Sequence, residues 1–475
     1  TGVQTCALPI YNMRQVPQKW TIPYSSAIRV FHGDWYDACQ IYRHWALQQS
    51  WTQGGPLTAN KNISPVFRDA DDSIAVSSAM IDDTEPGYTR KFLETYKGYK
   101  IIVWLTHWGL DNTHFDGPNP DRFPLTELDH RAISYLKEHN IPIRPYIQCT
   151  EWDSGTPSFK AHADAENNIV CNYYGQRIRW GARKDDATHR YIAYPGVLWR
   201  SVLGATVEKM AASGFDGAYM DSGNHGGMYM NFTPACSNCT GGGADYVKNN
   251  QKLLSEIRER TRKINPNFSV DAESFWEGNI AVLDGFLTCN TTNAYLEAER
   301  VTAIPLVQTV YHDYTVMYSF WPSGSDVARD NALPYAAKLG LAYTWGVKPG
   351  MTLPQLDWKF GNEQEIQRIH KNRFEGYAKT KKYLIYGQLL RMPPITGRTQ
   401  VPVKWHRTYS ANYYAIFMDS VLCTAWRMLN GDFALAMYNI TETPVEIIIR
   451  LNKKEYLIDD IAFSAMHPAD LKFEQ

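Results

Sequence analysis

The stretch Gly214–Asn224 reads GFDGAYMDSGN, a short apolar run that ends on an acid and then enters a turn. A carboxylate at the end of a buried strand must be hydrogen-bonded, paired or wet, or its burial costs more than the apolar residues gain. Such an ending is normal at the open mouth of a βα barrel, where strand tips carry the chemistry. The segment before it agrees. PGVLWRSVLGATVEKMAASG has Pro195 at its start and Gly214 just past its end, the usual asymmetry of a helix that stops before a strand begins.

Outward from this strand the alternation repeats. SIAVSSAM (Ser73–Met80), KIIVWLTHW (Lys100–Trp108), IPIRPYIQC (Ile141–Cys149) and FSVDAE (Phe268–Glu273) read as strands, with HRAISYLKEHN and DYVKNNQKLLSEIRERTRKI as helices. LDGFLTC, PLVQTVYHDY and AAKLGLAYTWG supply three more strand candidates. Eight strand candidates, separated by helical or loop segments, predict an α/β fold of parallel βαβ units closing into a (β/α)8 TIM barrel over residues 70–394. The competing arrangement is a doubly wound open sheet. It ordinarily carries a Gly-rich phosphate turn after its first strand, and none is visible here.

The flanks read differently. TGVQTCALPI, residues 1–10, matches the translation of a common short-read sequencing adapter and is expected to be an assembly artefact. On that expectation the natural N-terminus is missing, and the lack of a leader says nothing about location. Residues 11–69 read as the end of a truncated N-terminal β domain and a linking helix. SAIRVFHGDWYDACQIYRHWALQQSW gives a strand to Phe31, then a helix with Tyr36, Cys39, Tyr42, Trp45 and Leu47 on its apolar face. Past Pro394 the texture changes to NYYAIFMD, TAWRML, FALAMYNIT, VEIIIRL and YLIDDIAF, short β segments with no convincing helix among them. Residues 395–475 are therefore expected to form an antiparallel β-sandwich.

Composition narrows the function classes. The net charge of −1 leaves no basic footprint for nucleic acid or an anionic membrane. No run of ~18 apolar residues predicts a membrane span. Aromatics make up 13% of the chain, with 15 Trp and 30 Tyr, which suits flat sugar rings as well as ordinary cores. The cysteines outside residues 1–10 are scattered and do not read as a disulfide framework. Cys236 and Cys239 make a C-x-x-C, but no second pair at zinc spacing follows and His225 is poorly spaced. His107, His225 and His312 lie on separate segments and demand no metal. No cofactor is expected, and no protein partner is inferred.

Two carboxylates stand out. Asp221 ends GAYMD and Glu273 ends the next strand candidate, SVDAE, so both are expected at neighbouring strand tips. Two carboxylates flanking a scissile bond are the minimum equipment for glycoside hydrolysis, a retaining pair lying ~5–5.5 Å apart. Asp271 shares the strand parity of Glu273 and is expected one layer deeper. The candidate sugar-binding residues are His107, Trp108 and Asp111 in the loop after the second strand, and Trp152 and Asp153 after the third. Tyr219 lies in the fourth strand, and His312 with Asp313 end the seventh candidate.

The segments GDWYDACQIYRHWA, THWG…RFP, IPIRPYIQCTEWD, GFDGAYMDSGN, CSNCTGGGADYVKNNQKLLSEIR, DAESFWEG and PLVQTVYHDY resemble, in that order, the glycoside-hydrolase-like proteins grouped as domain of unknown function 6259. The resemblance runs from about Phe31 to His312. It implies a TIM-barrel glycosidase, with a more distant likeness to endo-α-N-acetylgalactosaminidases and α-amylases. Those families place a nucleophilic Asp on the fourth strand and an acid/base Glu on the fifth, the positions of Asp221 and Glu273. The α-amylases also carry a His-Asp pair at the seventh strand, matched here by His312 and Asp313. The other α-amylase signatures are missing, so starch-like substrates are not implied. The resemblance implies an oligo- or polysaccharide substrate with α-linkages, a retaining mechanism and export from the cell. The alternative expectation is a catalytically silent carbohydrate-binding barrel.

Overall fold

The computed structural model describes residues 27–110, 119–179, 190–224, 229–236, 243–288, 304–318, 332–348, 350, 354, 363–406 and 413–458. The principal strands are β1 (Asp72–Val76), β2 (Ile101–Leu105), β3 (Ile143–Gln148), β4 (Gly217–Asp221), β5 (Ser269–Glu273), β6 (Gly285–Leu287) and β7 (Val316–Tyr318). The principal helices are α1 (Trp35–Ala46), α2 (Glu127–Glu138), α3 (Val197–Ala212), α4 (Gly243–Ile264), α5 (Leu306–Tyr311), α6 (Leu333–Thr344) and α7 (Glu363–Tyr386).

β1 to β7 form one seven-stranded sheet whose strand order follows chain order without reversal. The β2–β3, β3–β4, β4–β5 and β6–β7 ladders are parallel. A doubly wound sheet reverses its order at a switch point, so this order removes the competing arrangement. β1 to β3 are buried at every position, as strands covered on both faces must be.

By contacts the chain forms two compact units. One is built around Val76–Asp82 and Val103–Asp284, and the other around His32–Ala75, Asp83–Ile102 and the chain from Gly285 onward. In the first unit, α2 starts on a capping box in which Thr126 and Asp129 satisfy each other's backbone N–H groups. α3 is capped by Ser213, and Gly214 follows with a left-handed φ of 84°. A glycine takes that conformation without a Cβ clash and turns the chain into β4. Gly217 is needed for a different reason. A Cβ there would sit 2.9 Å from the Ser269 carbonyl oxygen, so only glycine lets β4 and β5 approach.

In the second unit, α1 is capped by Asp34 and Asp37 and buries Cys39, Arg43 and Ala46. The buried Arg43 meets the Asp313 carboxylate at 2.7 Å, and Arg373 of α7 meets Asp72 of β1 at 2.6 Å. The C-terminal part contains β8 (Gln388–Leu389), β9 (Ile395–Thr396), β10 (Gln400–His406), β11 (Tyr413–Asp419), β12 (Val421–Arg427), β13 (Phe433–Asn439) and β14 (Ile448–Ile449). They pair antiparallel as β8–β12–β13, β9–β14 and β10–β11.

Four expectations are corrected. Residues 27–31 carry no strand, so the strand to Phe31 is absent there. PLVQTVYHDY is helical, forming α5 and a 3-10 turn at His312–Tyr314, and the strand begins only at Val316. AAKLGLAYTWG lies in and just after α6. Of an eighth strand the described residues hold a single parallel bridge, Tyr318 to Lys348. Lys453–Tyr456 is a short helix in a region read as holding none, and of YLIDDIAF only Tyr456–Ile458 is described, with no strand there. The long helix α7 has no counterpart among the expected elements.

Candidate active site

The site is built on β2 to β5 of the first unit. In both β4 and β5 the first four residues are buried and the last, Asp221 or Glu273, is partly exposed. Their ladder runs from Gly217 opposite Ser269 to Met220 opposite Ala272. The next pair in that register is Asp221 and Glu273. Parallel neighbours lie roughly 4.8 Å apart across a sheet and point to the same face, so the two acids emerge side by side from the strand ends.

Both strand ends are followed by unusual backbone. Ser222 and Ser274, the residues directly after the two acids, have left-handed φ values of 56° and 65°. Non-glycine residues rarely adopt this conformation, and it concentrates at functional sites. Side-chain amides tie the two turns together. Asn224 Nδ2 donates to the Ser274 carbonyl at 2.6 Å, and Asn279 Nδ2 donates to Asn224 Oδ1 at 2.9 Å. Asn250 of α4 donates to the Gly223 carbonyl at 2.7 Å. The acids are thus held on strands, with their turns braced from behind.

Asp221 sits in a ring of donors. Its Oδ2 accepts from Tyr146 Oη at 2.8 Å and from Gln148 Nε2 at 3.0 Å, and its Oδ1 accepts from Tyr219 Oη at 3.1 Å. Tyr146 and Gln148 belong to β3, in register with Tyr219 and Asp221. Donors directed at a carboxylate stabilise its ionised form. Cys149 follows at once. Burial, with the Asp221 charge adding to it, pushes its thiol up, so it stays a neutral core group.

One layer down, Arg144 of β3 and Asp271 of β5 form a fully buried ion pair. The guanidinium also lies over the Tyr219 ring, 6.0 Å from its centroid, and Trp104 meets that ring edge-on at 4.9 Å. Asp271 is therefore neutralised beneath the site, in the deeper layer expected for it. Tyr219 belongs to the Asp221 cluster. Tyr146, Gln148 and Arg144 carry no motif of their own, and the parity of IRPYIQ with GAYMD is the signal that points to them.

Several expected sugar contacts are placed otherwise. Trp108 is fully buried, donating Nε1–H to the Tyr146 carbonyl at 2.7 Å and packing on Phe123 and Phe215. Trp152 is also fully buried, against Trp199 and Phe159. Asp153 closes a turn by accepting from Gly155 N at 2.7 Å. His107 Nδ1 lies 2.9 Å from the Thr106 hydroxyl at the end of β2 and is partly exposed. His312 and Asp313 precede β7 instead of ending a strand. Both His312 ring nitrogens meet backbone carbonyls, Gly387 at 2.8 Å and Gly346 at 3.0 Å, while Arg43 takes Asp313. Burial as large as this makes packing the first role of Trp108, Trp152, His312 and Asp313. Asp111, His225 and Cys239 lie outside the described residues. Cys236 is disulfide-bonded and its Sγ accepts from Tyr194 Oη at 3.0 Å. Among the described residues, no group of three or more His, Cys, Asp or Glu is arranged to hold a metal, and no helix is long and apolar enough to cross a membrane.

The model of the family described as domain of unknown function (DUF6259) matches residues 20–321, more than half of the chain. The chain belongs to this family. Among curated proteins, this DUF6259 member is 21% identical over 452 residues to a "Putative glycoside hydrolase" of Bacteroides thetaiotaomicron, an alignment covering 93% of this chain and 62% of that protein. The chain thus spans less than two thirds of that relative's length. Among solved structures, the α-N-acetylgalactosaminidase NagBb of Bifidobacterium bifidum superposes with a TM-score of 0.54 at 13% identity, covering 85% of this chain and 64% of that one. The GH36 α-galactosidase AgaA of Geobacillus stearothermophilus gives 0.55 at 11% identity, covering 88% and 53%. At such identities the likeness is one of fold.

Proposed function

We propose that this DUF6259 chain is a retaining glycoside hydrolase acting on an α-linked glycan, with its seven-stranded sheet belonging to a (β/α)8 barrel and its C-terminal strands to a β-sandwich. The observation that carries the proposal is the pair Asp221 and Glu273, in register at adjacent strand ends, with Asp221 inside a ring of three donors. The names of the relative and of the two structural neighbours, all glycosidases, support the same class.

In this reading Asp221 is the nucleophile. Its ionised carboxylate attacks the anomeric carbon as Glu273 donates a proton to the leaving oxygen; a glycosyl ester on Asp221 results. Glu273, now ionised, takes a proton from water, and the resulting attack on the anomeric carbon frees Asp221. Tyr146, Gln148 and Tyr219 orient Asp221 so that it need not reorganise during either step. His107 and Asp111 remain proposed sugar-binding residues, while Tyr219, buried and bonded to Asp221, acts through that carboxylate.

A panel of aryl α-glycosides, including the galactoside and the N-acetylgalactosaminide, tests the reading. Turnover, with the first-formed sugar keeping its α-configuration by NMR, is expected. A folded protein that turns over no member, yet binds glycans, favours the silent carbohydrate-binding barrel instead.

A further inference from the structure

The connection between β3 and α3 contains a second feature on the same unit. Ile169 and Ala193 bridge antiparallel, as do Cys171 with Arg177 and Arg179 with Tyr191. This makes a small antiparallel platform over a satellite core of Val170, Ile192, Tyr194 and Tyr246. Its hairpin turn is fixed by Asn172, whose Oδ1 accepts from Tyr174 N and Gln176 N, both at 3.0 Å. The turn presents Tyr173 and Tyr174 to solvent, 63% and 82% exposed. Beside the hairpin lies a cavity of about 390 Å³ lined by Glu166, Asn167, Arg177, Arg179, Tyr191 and Pro234, a volume in the range of small-ligand sites.

Two observations make this cavity a site and not a surface irregularity. Two large aromatic rings stand at the solvent edge of a hydrogen-bonded turn, Tyr173 edge-on to both Phe232 and Tyr174 at 5.5 Å, with most of each ring still open to water. Such rings are inexpensive to order on binding and stack on apolar sugar faces. The cavity wall itself brings two guanidinium groups to one place. Arg179 lies over the Tyr191 ring at 5.9 Å, and Arg177 meets Glu166 at 2.6 Å. That ion pair is largely solvent-exposed and so contributes little, leaving the Arg177 fork able to share an incoming anion. The loops that build the cavity follow β3 and β4, so they leave the sheet from the same end as Asp221.

We propose that this cavity binds an acidic sugar of a longer glycan. Arg177 and Arg179 take its carboxylate or sulfate, Asn167 and Glu166 its hydroxyls, and Tyr173 and Tyr174 stack the flanking rings. The site holds substrate and performs no chemistry, and it rests on the glycan-directed reading above.

Affinity electrophoresis of the whole chain tests it, with polygalacturonate (carboxylate), dextran sulfate (sulfate) or neutral galactomannan cast in the gel. Retardation by at least one acidic polymer, weakening with added salt and exceeding that by galactomannan, is expected. The polymer that retards identifies the anion. Arg179→Ala and Tyr174→Ala, both at exposed positions, are each expected to raise the dissociation constant about tenfold. Asp221→Asn should bind as the parent does, so a failure of the catalytic reading leaves this result standing. Equal retardation by galactomannan, no retardation at all, or retardation unchanged in both variants overturns the proposal.

Discussion

Asp221 and Glu273 continue one parallel register at adjacent strand ends, and each is followed by a serine in the left-handed conformation. The two serines depart from ordinary strand geometry at the same level of the sheet. This kind of strain persists only where the surroundings over-determine it, and here an amide network from Asn224, Asn250 and Asn279 does so.

If the two acids work as proposed, they are held for chemistry and not for packing. Asp221→Asn should keep a melting temperature near the parent's and lose kcat by about three orders of magnitude or more. Glu273→Ala should be impaired as well, yet retain more activity on aryl glycosides with good leaving groups, and added azide should partly restore it. Intact activity in Asp221→Asn would remove the nucleophile and the mechanism together.

Tyr146 supplies the 2.8 Å donor to Asp221 Oδ2. Tyr146→Phe keeps the ring beside Trp104 and Tyr219 and removes only the hydroxyl. A hydrogen bond to a charged group is worth ~1.5–3 kcal/mol, so kcat should fall roughly 10- to 100-fold with KM little changed. Steady-state kinetics on one aryl glycoside decide it. A change confined to KM would assign Tyr146 to substrate binding instead.

Arg144 and Asp271 are both fully buried. Breaking such a pair leaves an uncompensated charge and costs about 3–5 kcal/mol, whereas removing both charges costs far less. Asp271→Asn should therefore lower the urea midpoint strongly, and the double variant Arg144→Met with Asp271→Leu should recover most of it. Equal losses in the two proteins would show that the pair is not coupled.

Burial holds the His312 imidazole below the ordinary histidine range. As pH falls through about 6.5, the unfolded chain takes up a proton that the folded chain refuses, so stability drops with pH in that window. His312→Gln should lose that part of the dependence, at most about 1.4 kcal/mol per pH unit. Parallel stability–pH curves for the two proteins below pH 6.5 would contradict the assignment.

How much of this was legible in the sequence depends on the range of the forces concerned. β4 and β5 are short, bounded by turns and end on their acids, so local pattern alone located Asp221 and Glu273. Gly214 likewise marked the end of α3 because its φ is a local requirement. Where a segment is buried all round, the pattern is lost. In α6 every residue from Pro334 to Ala342 is buried, and in α5 the last four are, so neither shows the one-sided stripe that separates a helix from a strand. AAKLGLAYTWG and PLVQTVYHDY looked like strands for that reason, and His312 and Asp313 moved with them. Trp108 and Trp152 show the same limit, since indoles serve a sugar site or a core equally well and only packing chooses. The clamp on Asp221 was beyond any local signal. Tyr146 and Gln148 are more than 70 positions away in the chain, and only the pairing of β3 with β4 brings their donors to its carboxylate.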